Sequence, residues 1–416
     1  MVTAVIQRGG RSPDVIVVGG GVTGASIAWR LAETGKHVLL LEQRGICAGA
    51  SGRNGGMTGA GSSMHASSRS GRAVYALTTA NLRIMKTLAD ELERDFELRL
   101  TGTMDVITTP EQLAHLTPAV ATEREAGIDI ELLDADAARA IMPALTPEIL
   151  GAAYARDRGH LWPFALVHGM ADASARAGAV LETGTRVERL AWSGERVTGV
   201  VVSGETVLCE DVVLATNAWT PRLLPNLPEG AIVPARGQIL VTQPLPPILA
   251  CPFGTNFDKE YGRQTPGGQI LCGGYRRLDV NEGLGTYREE VTPLVLAGIA
   301  RCLTGLFPGL RGKARVLRAW SGIMGFTADG LPLIGRYEPA PGLTLAAGFN
   351  GGGFSWGVIV GQVIARLLNG QEPGFDLEPF RPARFHDHEG AIPWANPFTA
   401  GEKSNPGAPG ALANRV

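Results

Sequence analysis

The sequence predicts an α/β fold with two domains, one built on a parallel sheet from separated segments and one on a mixed or antiparallel sheet. A strand, turn, helix and strand pattern opens the chain, and a strand, glycine-rich turn and helix return near its end. Between them, frequent prolines and β-type runs disfavour long helices. The outer segments are typical of a parallel sheet with crossover helices, and the inner ones are typical of a second sheet.

The composition describes a folded chain with almost no net charge. The 416 residues are 44% hydrophobic and 19% charged, and 38 Lys and Arg against 40 Asp and Glu give a net charge of −2. A chain of this length can bury a large core and commonly forms more than one domain. Because no overall field attracts phosphates or anionic lipid, we expect no nucleic-acid partner.

Cysteine usage indicates a reduced environment, and the hydropathy pattern disfavours a membrane span. The five cysteines are scattered without a Cys-x-x-Cys pair, which disfavours a disulfide framework or a zinc site. No apolar run approaches the roughly 18 residues needed to span a bilayer, and the first residues lack a long apolar core. We therefore expect a cytoplasmic protein with no metal site and no membrane span.

The opening segment predicts a βαβ unit. An apolar run at 14–18 indicates a buried strand, the periodicity from about 22 to 34 indicates a helix, and 37–42 indicates a second strand. Such a unit is the first half of a Rossmann-like nucleotide-binding domain.

The turn of this unit contains the pattern Gly19-x-Gly21-x-x-Gly24. The first glycine permits a tight turn, the second lets backbone amides approach a pyrophosphate, and the third allows the helix to pack closely on the strand. Glu42, at the end of the second strand, would accept ribose hydroxyls and repel a 2′-phosphate. The pattern favours NAD or FAD over NADP.

Glycine is concentrated in clusters. It accounts for 56 of the 416 residues, and three groups lie at 19–24, 50–56 and 348–353. Glycine clusters let the backbone approach a ligand closely. Each of the three is therefore a candidate for contact with a ligand.

The remaining elements follow from local patterns. A helical pattern covers 77–98, and 166–219 predicts a helix, a strand, a hairpin and a strand that ends in VVLATNAW at 212–219. Strand character returns in GQILVTQPL at 237–245 and in the segment at 267–277. A final strand at 342–349 precedes a glycine turn and a helix over 354–370. The parallel sheet is therefore expected to be discontinuous in sequence.

Together these motifs resemble the D-amino-acid-oxidase type of FAD-dependent amine and amino-acid oxidoreductases. The resemblance covers about 14 to 385 and includes ASGRNGG at 50–56, WSGIMGFTADGLPLIG at 320–335 and LAAGFNGGGFSWG at 345–357. The chain is most similar in these motifs to the sarcosine oxidase β-subunit and γ-glutamylputrescine oxidase types. The resemblance implies an enzyme that binds FAD and oxidises the C–N bond of a primary or secondary amine, or of an imino or amino acid. Hydride would pass to flavin N5, and water would hydrolyse the imine.

The resemblance also implies a domain organisation and a set of site residues. The FAD-binding domain would comprise 14–75, 150–219 and 321–385, the substrate domain 76–149 and 220–320, and a flexible tail 386–416. The candidates at the reacting atoms are Trp320, Met324, Tyr261 and Arg53, although simple packing in the core or at its rim is an equal alternative for Tyr261 and Trp320. The residues expected to bind FAD are Gly19, Gly21, Gly24, Glu42, Ser51, Arg53, Asn54, Gly55, Gly56, Val187, Ala215, Thr216, Trp219, Gly351, Gly352, Gly353 and Phe354.

One position departs from the family pattern. Relatives that bind α-amino acids often have an Arg two residues after the Gly of a W-x-G motif, and this position is Met324 here. A thioether cannot bind a carboxylate. Either Arg53, Arg236 or Arg318 substitutes, or the substrate is an amine without an α-carboxylate, which is the alternative we favour.

Other departures concern the acceptor, the flavin linkage and a candidate proton shuttle. The strand that carries a Lys in some oxidases has Cys272 here, with only Lys259 nearby, so both oxygen and another electron acceptor stay open. Gly322 and Pro163 stand where relatives attach flavin, which predicts noncovalent FAD without a second FMN.

His160 is either a proton shuttle or an ordinary structural residue. Two alternatives to an enzyme that acts alone stay open. One is a β-type subunit with a partner, as in hetero-oligomeric sarcosine, proline or opine dehydrogenases, and the other is a noncatalytic flavin- or NAD-binding module.

Overall fold

The computed structural model describes residues 12–59, 68–255 and 260–387. Lys259 and the predicted tail beyond 387 lie outside these ranges. The helices are α1 (Val22–Ala32), α2 (Arg69–Met85), α3 (Leu88–Leu92), α4 (Pro110–Glu125), α5 (Ala135–Ile141), α6 (Pro163–Arg176), α7 (Thr220–Leu223), α8 (Pro293–Leu306) and α9 (Gly357–Leu368). The strands are β1 (Val15–Val18), β2 (Val38–Leu41), β3 (Met57–Thr58), β4 (Thr103–Ile107), β5 (Ile130–Asp134), β6 (Gly151–Ala155), β7 (Gly159–His160), β8 (Val180–Glu182), β9 (Val187–Ser193), β10 (Arg196–Val202), β11 (Glu205–Leu208), β12 (Asp211–Leu214), β13 (Ile232–Thr242), β14 (Phe253–Thr255), β15 (Tyr261–Gln264), β16 (Ile270–Gly273), β17 (Val316–Thr327), β18 (Leu333–Arg336) and β19 (Leu343–Ala347).

The first sheet has six strands in the order β18-β19-β12-β1-β2-β8. All neighbouring pairs are parallel except β18 with β19. One face packs on α1 and α9 through buried apolar side chains, and the other packs on the three-stranded sheet β9–β11. The sheet takes strands from both ends of the chain, which confirms the predicted α/β class.

The second sheet has eight strands in the order β17-β13-β16-β15-β14-β4-β6-β5. It is mixed, because β4 pairs with β14 in parallel and the other pairs are antiparallel. Strands β13 and β17 pair over most of their length, from Ile232 opposite Thr327 to Thr242 opposite Val316. Helix α8 covers this sheet with a separate apolar core.

The residue ranges proposed for the two domains stay a prediction. Strands β1, β2, β8, β12, β18 and β19 of the first sheet all fall in the ranges expected for the FAD-binding domain. Strand β6 belongs to the second sheet although it lies within 150–219. Strand β17 begins at Val316 and crosses the expected boundary at 321.

Several elements differ from their sequence-based bounds. The helical pattern over 77–98 is two helices, because α2 ends at Met85 and α3 at Leu92, where Glu93 follows with a φ of 51°. The strand expected over 212–219 ends at Leu214. Asn217 then adopts a φ of 44° and opens a short 3₁₀ turn. Left-handed conformations of this kind interrupt regular elements and are hard to foresee at a non-glycine residue.

This topology positions the site. Strand β1 lies between β2 and β12, and the carboxyl ends of the three strands meet at one edge of the first sheet. In open parallel sheets ligands bind at such an edge. Among the described residues, no helix combines the length and the apolar character that crossing a bilayer requires.

Candidate active site

A cavity of about 990 Å³ extends from the carboxyl edge of the first sheet to strands β13 and β17 of the second. All three glycine clusters contribute to its wall. Its size suits a large ligand. The predicted residues that line it are Gly19, Gly21, Glu42, Ser51, Arg53, Asn54, Gly55, Val187, Ala215, Thr216, Trp219, Tyr261, Met324, Gly351, Gly352, Gly353 and Phe354.

Three predicted residues do not line the cavity. Gly24 packs helix on strand, since a Cβ there would lie 1.9 Å from the Gly19 carbonyl oxygen. Gly56 has a φ of 68°, and its Cβ would lie 2.4 Å from the Leu161 carbonyl oxygen. The indole Nε1 of Trp320 donates to the Arg53 carbonyl oxygen at 3.2 Å. These residues support the cavity wall from behind.

The first glycine turn packs closely against the end of β12, the second glycine cluster and Glu42. Gly19 has a φ of 110°, and a Cβ on it would lie 2.7 Å from the Ala215 carbonyl oxygen. The Ser51 hydroxyl accepts from the Val22 N–H at 3.0 Å, so the second glycine cluster lies against the N-terminus of α1. The Glu42 carboxylate accepts from the Gly20 N–H at 2.8 Å. Backbone amides and a carboxylate therefore converge at the edge of the sheet, where the fingerprint predicts pyrophosphate and ribose.

The second glycine cluster is held by hydrogen bonds from Asn54, which lines the cavity, and from Arg263, which lies outside the lining. Asn54 donates from Nδ2 to the Ala50 carbonyl oxygen at 2.8 Å. The buried Arg263 donates to the carbonyl oxygens of Gly55 and Leu161, and its Nη1 lies 3.2 Å from His160 Nδ1. Burial, followed by the Arg263 charge, lowers the pKa of His160 to about 4. His160 is thus neutral near pH 7 and lies outside the cavity lining, which fits its structural interpretation.

The third glycine cluster is held by asparagines that sequence reasoning missed. Asn217 Oδ1 accepts from the Gly348 and Phe349 N–H groups at 2.9 and 3.3 Å. Asn350 Oδ1 accepts from the Thr327 N–H at 2.9 Å. Both asparagines have positive φ, 44° and 51°. Their positions inside NAW and FNGGG offered a signal, since asparagine tolerates this conformation and bonds nearby backbone.

The second sheet supplies an apolar wall. Met324 and Phe326 line the cavity two residues apart on β17. A Cβ on Gly237 would lie 2.8 Å from the Met324 Cε, and one on Gly273 would lie 2.8 Å from the Tyr261 hydroxyl. Burial raises the pKa of Tyr261. The phenol is therefore protonated at neutral pH and can donate a hydrogen bond but cannot act as a base.

Cys272 does not face this cavity. It is fully buried beneath the second sheet in the core with α8, because alternate residues of β16 point to opposite faces. Cys272 is therefore a small buried residue of that core and not part of the cavity wall.

The arginines differ in where they lie. Arg236 is bound through two bonds of 2.7 and 2.8 Å to the buried Asp279, and Arg318 is exposed outside the lining. Arg53 lines the cavity and pairs with Glu289 at 2.8 Å. Sequence reasoning missed Arg276, which also lines the cavity. Its signal was a pair of arginines at the carboxyl end of the segment predicted as a strand, 267–277.

Comparison with known proteins identifies what the chain is similar to. The family model described as DAO, FAD dependent oxidoreductase, matches residues 14–367. Glycine oxidase of Geobacillus kaustophilus strain HTA426 is 30% identical over 378 residues, which are 89% of this chain and 97% of that protein. One of the subunits of opine oxidase from Rhizobium meliloti is 29% identical over 353 residues, which are 81% and 89% of the two chains. The crystal structure of the glycine oxidase from Geobacillus kaustophilus superimposes with a TM-score of 0.81 at 28% identity, covering 91% of this chain and 99% of that one.

Proposed function

The chain belongs to the DAO family of FAD-dependent oxidoreductases, and from this premise we propose that the cavity holds noncovalent FAD with an amine or amino acid between it and the second sheet. The chain is an FAD-dependent enzyme that oxidises C–N bonds of amino acids or amines. The proposal concerns how its own residues divide that work.

The observation that carries the proposal is the continuity of the cavity. One wall runs from the fingerprint at Gly19 and Gly21, past Ser51, to the glycine loop at Gly351. The cradle fits a dinucleotide, because Gly19, Gly20 and Gly21 line the wall at the N-terminus of α1 without side chains to fill it, and Glu42 lies beside them. Glu42 and Val187 line the same wall and would hold the ribose and the adenine.

The chemistry needs little from side chains beyond positioning. Bound FAD would supply the hydride acceptor for oxidation of the substrate C–N bond, and water would hydrolyse the imine product. Tyr261, Met324 and Phe326 form a wall that excludes bulk water and holds the substrate nitrogen and carbon in place. The protonated Tyr261 can donate a hydrogen bond to a substrate atom but cannot remove its proton.

Noncovalent binding follows from the residues at two positions. The resemblance to this family implies that Gly322 and Pro163 stand where some relatives attach flavin, and neither side chain can form such a bond. Acid precipitation should leave the yellow colour in solution, whereas a yellow pellet would overturn this part of the proposal.

An anaerobic substrate screen tests the function. The FAD-loaded protein is mixed with sarcosine, proline, D-alanine, γ-glutamylated amines and simple secondary amines, and the flavin absorbance is followed. We expect at least one of them to bleach the flavin band. A fully loaded protein that none of them bleaches, or a protein that binds no FAD, would contradict the proposal. Comparing the production of hydrogen peroxide with the reduction of a dye then shows whether oxygen or another acceptor takes the electrons.

A second candidate is a catalytic component of a hetero-oligomeric dehydrogenase. It is favoured by the likeness over most of the chain to one of the subunits of opine oxidase. A component of this kind would turn over poorly alone and copurify with a partner from its native cell. Full turnover by the single chain with a dye or oxygen would exclude this candidate.

A further inference from the structure

We propose that Arg276 binds the carboxylate of an α-amino or imino acid in this cavity, in place of the arginine that Met324 replaces. The inference rests on the proposed function, because it names the substrate class of the same site. It also reverses the expectation from sequence that the substrate lacks an α-carboxylate.

The position of Arg276 relative to the apolar wall of the cavity supports the assignment. Its guanidinium carbon lies 5.1 Å from the centroid of the Phe326 ring. Phe326 and Met324 both face the third glycine cluster, since a Cβ on Gly351 would lie 3.7 Å from Phe326 Cζ and 3.5 Å from Met324 Sδ. The guanidinium therefore extends from the end of β16 to the apolar wall that Met324 and Phe326 of β17 form.

The guanidinium is held in a fixed orientation. Arg276 donates from Nε and Nη2 to the Glu282 carbonyl oxygen at 3.2 and 3.0 Å. The segment that creates this contact contains left-handed residues, with φ of 53° at Tyr275, 48° at Asn281 and 53° at Glu282. Strained backbone of this kind is concentrated at ligand sites. A guanidinium has five N–H donors, so bonds to one carbonyl oxygen are compatible with a carboxylate at another edge.

The charge of Arg276 favours an anion. Only 8% of the residue is exposed, and burial lowers its pKa to about 10, so it is still a cation at neutral pH. The carboxylates of Glu282 and Asp279 oppose that lowering. Asp279 is already engaged by Arg236 and, at 3.0 Å, by Gln238 Nε2. Glu282 lines the cavity as well and would compete with a substrate carboxylate.

Matched substrate pairs test the assignment. Each pair consists of an amino acid and the same molecule without its carboxylate: proline with pyrrolidine, sarcosine with dimethylamine, and alanine with ethylamine. For wild-type protein we expect anaerobic flavin reduction to favour the amino acid of the pair. In Arg276→Gln the KM for that amino acid should rise about 10- to 100-fold, while reduction by the matched amine changes little. Arg276→Lys should retain part of the preference.

One further variant is a control, and a second tests the competing charge of Glu282. Arg318→Gln removes an exposed arginine outside the cavity and should leave every pair unchanged. Glu282→Gln keeps the backbone carbonyl that holds Arg276 and removes the competing charge, so it should lower the KM for the amino acid. A wild-type preference for the amines, an equal effect of Arg276→Gln on both members of a pair, or a raised KM in Glu282→Gln would overturn the assignment.

A binding measurement separates this inference from the proposed function. Propionate, which cannot be oxidised at a C–N bond, should perturb the flavin spectrum of the wild type in a saturable manner and that of Arg276→Gln only weakly. If neither these pairs nor any other compound of the substrate screen reduces the flavin, the proposed function fails, and the propionate titration still decides the role of Arg276. If Arg276→Gln does not fold or does not retain FAD, two other variants decide the role of Arg276. Arg276→Lys should bind propionate more weakly than the wild type, and Glu282→Gln should bind it more strongly.

Discussion

At the scale of single residues, His160 makes the folded protein sensitive to acid. It is 8% exposed, and burial, then the charges of Arg263 and Arg99, lowers its pKa to about 4 from an ordinary value of 6.5. Between these values the unfolded chain binds a proton that the folded chain does not. The stability contributed by neutral His160 is therefore fully present above about pH 6.5 and is lost as the pH falls towards about 4.

We expect the free energy of unfolding of the wild type to fall by about 2 kcal/mol through this residue between about pH 7 and about pH 5. In His160→Asn the fall should be smaller by that amount, because asparagine does not titrate and can still accept from Arg263. Urea unfolding at the two pH values measures the difference. His115→Asn, at an exposed histidine on α4, is the control. Equal pH dependence in wild type and His160→Asn would contradict the pKa shift.

The contacts of His160 also show what residue types alone cannot reveal. The sequence offered a histidine that could shuttle protons, and its role depended on which group faces it. That group, Arg263, is 103 residues away in the chain. The same applies to Arg276, whose position over Phe326 depends on the pairing of β13 with β17 and on a left-handed turn after β16.

At the scale of elements, α9 begins on a side chain from another helix. Asn81 of α2 is 1% exposed. Its Oδ1 accepts from the N–H groups of Val358 and Ile359 at 3.1 Å, and its Nδ2 donates to the Phe354 carbonyl oxygen at 2.9 Å. One amide thus caps α9 and holds the end of the third glycine cluster, a role that a local N-cap residue usually performs.

Asn81→Ala should lower the free energy of unfolding by about 2–4 kcal/mol, because two buried N–H groups lose their partner and the Phe354 carbonyl oxygen keeps only the Thr58 hydroxyl at 3.3 Å. Asn369→Ala, at the exposed C-terminal end of the same helix, where Nδ2 donates to the Ala365 carbonyl oxygen, should cost under about 1 kcal/mol. Chemical unfolding of the FAD-loaded variants measures both. A cost at Asn81 no larger than at Asn369 would show that water or local backbone satisfies the start of α9.

The elements that the sequence predicts well are those with local causes. The opening unit differs from its expected bounds by at most two residues, since apolar periodicity and the glycine turn are contained within it. The last helix was also expected, and its C-terminal signal is Gly370 with a φ of 69°. Strand β6 pairs with β4 and β5, the two strands that precede it, but its five residues carry no signal for which of the two sheets it joins.

At the scale of the whole molecule, the cavity is assembled from segments far apart in the chain. Seventeen of the residues expected at the site line it, because glycine motifs carry their own geometry into the fold. The groups that fix those motifs, such as Asn81, Asn217 and Arg263, come from elsewhere and are joined only by the tertiary structure. Motifs therefore predict the lining of a site better than its support.

Glu289 joins two of these distant segments. Its carboxylate Oε2 lies 2.9 Å from Arg44 Nη1 and 2.8 Å from Arg53 Nη1. Both arginines line the cavity next to the first and second glycine clusters, whereas Glu289 precedes α8 of the second sheet. The three side chains are 26–34% exposed. Each pair is therefore weakened by solvent, and the shared carboxylate is the stabilising feature.

Glu289→Gln should lower the free energy of unfolding by about 1–2 kcal/mol at low ionic strength, because it removes one charge from two ion pairs and leaves two arginines close together. Screening shortens the range of both effects, so the loss should shrink at about 1 M salt. Glu290→Gln changes the same charge at an exposed neighbour and should cost less than about 0.5 kcal/mol. Urea unfolding at the two salt concentrations measures the difference. If the loss at Glu289 persists undiminished in high salt, the carboxylate acts through neutral hydrogen bonds and packing, and the link between the two segments is not electrostatic.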